Sequence, residues 1–235
     1  TVAARNMDVY ESVIEQVFER YGIPAYISRR SDILETPLLA LLTGALSAVT
    51  GGFEYEDVFR GLKTGLAGVS LQECDLLENY VKTWEIHGSL WTREEPWSAN
   101  PDGYGAPWTE ARTKTLETIN ALRERIRIPF VHLSRGLKSG QTAAGKVDAL
   151  YSYLEELSLQ STLETRMERL EQEGRLQEAD ETAQLWTLLC AVLDQFVKIL
   201  GDEPMENEEF VCLLRLVLTQ YSIGTIPVAL DQVHV

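Results

Sequence analysis

Phe53–Trp91, FEYEDVFRGLKTGLAGVSLQECDLLENYVKTWEIHGSLW, carries two successive patterns of apolar residues. Val58, Phe59, Leu62 and Leu66 recur at helical spacing, and so do Cys74, Leu77, Tyr80, Val81 and Trp84, so each half carries one apolar stripe. The spacing predicts two helices, 54–66 and 70–85. Gly65 and Gly68 close the first; Ser70 opens the second, with Glu73 three residues on in the spacing of a capping box. No side chain in the stretch is an evident catalyst.

Outward toward the N-terminus, residues 35–50 carry Leu38, Leu39, Leu41, Leu42, Ala45, Leu46 and Val49 behind Pro37, which predicts a largely buried helix ended by Gly51-Gly52. A shorter amphipathic helix is expected over 8–21, through Val9, Val13, Ile14, Val17 and Phe18. Gly22-Ile23-Pro24-Ala25-Tyr26-Ile27 then reads as the entrance to a strand.

Outward toward the C-terminus, Trp91–Trp108 holds three of the five tryptophans and three of the eight prolines, the composition of a long ordered loop. Its aromatics either form a platform for stacking bases or pin the loop to the helices, and Glu94, Glu95 and Asp102 favour pinning. One long helix is expected from Glu110 to about Gly136, kinked or broken at Pro129. Further helices follow at 143–157, 159–172, 176–200 and 208–221. The apolar residues of 176–200 cover more than one face, which predicts a central position for that helix.

Charge bounds the function classes. Lys+Arg 21 against Asp+Glu 36 gives a net charge of −15, which opposes non-specific binding to DNA or anionic membranes. Residues 110–146 are the exception, with eight basic residues against three acidic ones for a local +5, between flanks of −8 and −12. Arg123, Arg125 and Arg127 on the long helix are therefore the candidate phosphate contacts, and pairing with the acidic C-terminal helices is the competing role. Gly140-Gln141-Thr142-Ala143-Ala144-Gly145-Lys146 fits G-x-x-x-x-G-K, yet Val147 stands where a phosphate loop needs Ser or Thr, and no buried strand precedes it. Thr142 as the cap of the next helix explains the same residues. Glu203, Glu206, Glu208 and Glu209 sit at a helix entrance without histidine, so they read as dipole complementarity rather than a metal site. His87, His132 and His234 are dispersed, and Cys74, Cys190 and Cys212 have neither disulfide-framework nor metal-ligand spacing. No catalytic, cofactor-binding or metal-ligating residue is assigned. The apolar runs fall short of the roughly 20 residues of a membrane span, and a reducing cytoplasm fits the cysteines.

The wording Tyr55-Glu56-Asp57-Val58-Phe59, Leu62-Lys63-Thr64-Gly65-Leu66 and Leu77-Glu78-Asn79-Tyr80-Val81 resembles the helicase-like region of the B subunit of bacterial AddAB-type (RexAB-type) helicase–nucleases. Gly22-Ile23-Pro24 resembles the fourth-motif region of superfamily 1 helicases, with Arg29 and Arg30 where such helicases place polar contacts. Ile226-Pro227 and Asp231-Gln232-Val233 resemble the return of the chain into the second motor lobe. The resemblance implies a mainly α fold with short β remnants at both ends. Residues 1–30 would be a stub of lobe 2A, 31–222 a helical 2B-like insertion and 223–235 the returning strand, together a fragment of a longer polypeptide. It further implies a non-catalytic scaffold within a heterodimeric ATP-dependent exonuclease that processes double-stranded DNA ends for recombinational repair. The partner would be the A subunit, the helicase motor. ATP, Mg and a 4Fe-4S cluster would be bound elsewhere in the full-length protein. The alternative class is a free-standing acidic helical protein-interaction module.

Overall fold

The computed structural model describes residues 10–23, 25–26, 33–220 and 233–234. They form ten α-helices: α1 (Glu11–Arg20), α2 (Pro37–Gly51), α3 (Tyr55–Leu62), α4 (Leu71–Thr83), α5 (Ser89–Thr92), α6 (Glu110–Ser139), α7 (Ala143–Glu156), α8 (Leu159–Gln172), α9 (Leu176–Leu200) and α10 (Asn207–Thr219). A 3-10 turn, Ile33–Glu35, precedes α2. Two-residue strands, β1 (Ala25–Tyr26) and β2 (Val233–His234), pair in parallel, Ala25 opposite Val233 and Tyr26 opposite His234. Arg29, Arg30 and the 223–232 segment lie outside the described residues.

The bundle is built around α2, which carries no charged residue and buries Leu38 through Leu46 without a break. At about 1.5–3 kcal/mol per fully buried leucine, this one helix supplies a large share of the apolar driving force. Gly44 lets α3 cross it closely, for an added Cβ would stand 2.9 Å from the Asp57 carbonyl oxygen. The second helix of the opening stretch starts as its spacing predicts. Glu73 donates its backbone N–H to Ser70 Oγ at 3.2 Å, while its carboxylate accepts the Ser70 N–H at 2.7 Å.

Pro129 does not break α6, which runs 30 residues through it. A proline inside a helix costs about 3 kcal/mol, but Ile126, Pro129, Phe130 and Leu133 are all buried on the core side. Burial of three such apolar neighbours outweighs the lost hydrogen bond.

The expected central position of α9 is corrected. Glu178–Leu200 has the length and composition of a membrane span, but only one face, with Leu185, Leu189, Val192, Leu193 and Phe196, enters the core, and Ile199 is 75% exposed. Asp180, Glu181, Asp194 and Lys198 require water around part of this helix, a constraint that charge-free α2 escapes. α9 is therefore an outer helix packed against α8 and α7.

Candidate nucleic-acid interface

The arginines of α6 do not stand as a free basic strip. Arg123 is 1% exposed and lies over Trp97, its guanidinium carbon 5.2 Å from the ring centroid. It donates to the Arg93 carbonyl and, at 3.1 Å, to Glu124. Arg125 is half exposed, but its two terminal nitrogens are committed to Glu73 of α4, at 2.9 Å, and to the Gly68 carbonyl. Arg127 holds Glu124 through both carboxylate oxygens at 2.8–3.0 Å and reaches the Thr92 carbonyl at 3.4 Å. These bonds draw the Glu124 carboxyl below its usual range and raise Arg127, whereas burial lowers Arg123. The three sit on one helix and all are turned to internal partners, with Glu124 shared by Arg123 and Arg127. Those partners belong to α4 and the turn before it, α5, the 93–109 loop and α6 itself, not to the acidic C-terminal helices.

The aromatics divide in the same way. Trp97 stacks on Tyr80 at 5.2 Å and meets Trp91 edge-on. Asn120 of α6 clamps its backbone, accepting from the Trp97 N–H at 2.8 Å and donating to its carbonyl at 2.9 Å. These rings pin the loop to the helices. Tyr104, at 98% exposure, and Trp108 stand outside that cluster.

The phosphate-loop look-alike is the α6–α7 turn folded on itself. An added Cβ on Gly140 would meet the Gly145 carbonyl carbon at 2.7 Å, so the two glycines serve mutual contact rather than a ligand. The Ala143 and Ala144 N–H groups, which a phosphate would need, donate to the carbonyls of Glu203 and Gly201. Thr142 Oγ1 accepts the Gly145 N–H as helix cap. Lys146 is buried and donates to the Leu137 carbonyl at 3.1 Å and to Asn207 at 2.6 Å, closing the end of α6.

Glu208 and Glu209 occupy the first turn of α10. Among the described residues no group of three or more His, Cys, Asp or Glu is placed to hold a metal ion. Cys74 is buried, Cys190 half-buried and Cys212 exposed, all as free thiols.

Two basic residues that the sequence pattern does not single out share a site. Arg166 and Arg169 of α8 line an open cleft of about 330 Å³ with Thr162, Thr165, Gly65 and Leu66. Their signal is a T-x-x-T-R-x-x-R spacing within the flank of −12, but only the tertiary fold sets it against the 65–66 turn.

No protein-family model matches the chain. Curated relatives do. The chain is 36% identical over 239 residues to the B subunit of the ATP-dependent helicase/deoxyribonuclease of Ruminiclostridium cellulolyticum, 36% over 235 residues to that of Acetivibrio thermocellus, and 34% over 234 residues to that of Clostridium botulinum. Each alignment takes in 100% of the chain and 20% of the relative, so the chain spans about a fifth of the length of the curated relatives it matches. Identity at this level, sustained from end to end, makes the chain a homologue of that fifth of the B subunit of the ATP-dependent helicase/deoxyribonuclease.

Proposed function

We propose that the chain is the helical 2B-like insertion of a B subunit of this kind, a non-catalytic scaffold that holds the A subunit and a double-stranded DNA end in register within a cytoplasmic heterodimer serving recombinational repair. One observation carries the insertion reading: β1 and β2, 207 residues apart in sequence, pair side by side in parallel while the helices between them fold as a bundle. A chain that leaves a sheet and returns beside the point of departure is what an insertion into a lobe requires. On this reading residues 1–30 and 223–235 belong to lobe 2A and 31–222 to the insertion. The exposed Val13 and Val17 of α1 then have the remainder of that lobe as their cover. On this reading ATP, Mg and the 4Fe-4S cluster belong to other parts of the full-length protein.

The test is to replace residues 33–220 by a short linker in the full-length protein, express it with the A subunit, and measure complex formation, duplex-end processing and cleavage of single-stranded DNA separately. A scaffold role is met by loss of the complex or of duplex-end processing with single-strand cleavage retained. Unchanged processing of duplex ends contradicts it, and so does loss of single-strand cleavage from an intact complex.

A further inference from the structure

We infer that the cleft between the Gly65–Leu66 turn and the Thr162/Thr165/Arg166/Arg169 face of α8 binds the phosphodiester backbone of DNA, an inference that rests on the proposed role in handling DNA ends. Three observations converge on it.

The first is charge segregation on one helix. Thr162, Thr165, Arg166 and Arg169 follow the i, i+3, i+4, i+7 spacing of a single face. Glu164, Glu168 and Glu171 follow the same kind of spacing on the roughly opposite side, in solvent. A helix that merely needed solubility would intersperse its charges. This one presents its two arginines to the cleft beside Thr162 and Thr165, whose hydroxyls donate to the Ser158 and Ser161 carbonyls, and sets Glu164, Glu168 and Glu171 on the other side. Residues 147–235 hold only five basic side chains, and two of them meet here.

The second is availability. Among the described residues Arg166 has no carboxylate or carbonyl partner, although it is half-buried. Arg169 has only Glu173, at 3.8 Å with both side chains largely in water, a pairing worth little. Arg123 and Arg127 differ on this point, since a phosphate could reach either only by displacing an internal acceptor, and Arg125, though half exposed, already holds Glu73 and the Gly68 carbonyl through its two terminal nitrogens.

The third is shape. Gly65 and Gly68 adopt positive φ of 72°, and no heavy atom lies within 4 Å of an added Cβ at either, so the turn offers open backbone for close approach. Residues three apart on a helix place their Cβ atoms about 5–6 Å from one another, which lets both guanidinium forks reach one phosphodiester or two neighbours. The cleft is larger than a single phosphate and open to solvent, as a site for a continuing strand must be.

The experiment is a fluorescence-anisotropy titration of the chain with a fluorescein-labelled forked DNA duplex over a salt series. It compares the parent with R166E/R169E, with the milder R166Q/R169Q, and with R135E/K138E. Arg135 and Lys138 are exposed on α6, outside the cleft, and their reversal changes net charge as much as R166E/R169E does. Circular dichroism confirms that each variant is folded. Expected is a loss of affinity of about tenfold or more for R166E/R169E, a smaller loss for R166Q/R169Q, and a salt slope reduced by about one to two contacts. R135E/K138E should bind within about threefold of the parent. Equal losses for the two charge reversals, or an unchanged R166E/R169E, overturn the cleft assignment and leave the scaffold reading to the deletion experiment above. Absence of any binding at low salt also overturns it, again without touching complex formation with the A subunit.

Discussion

Two sets of arginines on two helices of one acidic chain have opposite allegiances. On α6 the dense run Arg123, Arg125, Arg127 is consumed by the fold, stacked on Trp97, tied to Glu73 and the Gly68 carbonyl, and forked onto Glu124. On α8 the sparse pair Arg166 and Arg169 faces a cleft and is barely paired. Local charge density therefore does not mark a ligand surface. The cleft assignment rests instead on the lack of an internal partner, because a guanidinium already satisfied by buried acceptors has little to gain from a phosphate.

Substitutions on the two helices should separate these roles. The largest effect is expected at Trp97, on which the α6 side is stacked: Trp97→Ala should cost about 3–5 kcal/mol in chemical denaturation, and a loss under 1 kcal/mol would show that the loop is not pinned there. Arg123→Ala removes the stacked cation and leaves the Arg93 carbonyl without its donor, for about 2–3 kcal/mol. Were Arg123 a DNA contact instead, binding would fall while stability held.

Glu78 tests a second internal charge cluster. It lies among Tyr55, Lys63 and Lys82, and its hydrogen bonds to Lys82 and Tyr55 lower its carboxyl from 4.5 to about 2. A carboxylate depressed in the folded state stabilises fully above its unfolded value and loses that contribution as pH falls through the folded one. Glu78→Gln should therefore cost about 1–2 kcal/mol at pH 7, and the gap to the parent should shrink between pH 4.5 and 2. A gap independent of pH would deny the ionic role. Ser70→Ala removes the side-chain half of the α4 capping box and should cost about 1 kcal/mol, read as a lowered denaturation midpoint. The smallest effect, near zero on stability, is expected for R166Q/R169Q.

Local structure was largely legible in the sequence. The bounds of α8 and α9, the Ser70–Glu73 box and the Thr142 cap follow from spacing and cap chemistry within a few residues of chain. Allegiance across the chain was not. Glu73 lies 52 residues from Arg125, and the Arg93 carbonyl lies 30 from Arg123, so only the Glu124 pairings of Arg123 and Arg127 lie within reach of a local pattern. The breadth of apolar residues on α9 misled for a related reason. Hydrophobicity alone does not choose between two apolar helices for the centre, whereas the absence of charge in α2 does. The cleft was missed because it joins the 65–66 turn to α8, a proximity only the folded chain creates.

If α6 arginines hold the fold and α8 arginines do not, differential scanning calorimetry of R123Q/R127Q beside R166Q/R169Q separates the two helices. At about 2–4 °C per kcal/mol for a chain of this size, the α6 pair should lower Tm by roughly 6 °C or more, with the α8 pair within about 2 °C of the parent. Equal shifts, or a larger fall for the α8 pair, would mean that the α6 arginines do not hold the fold.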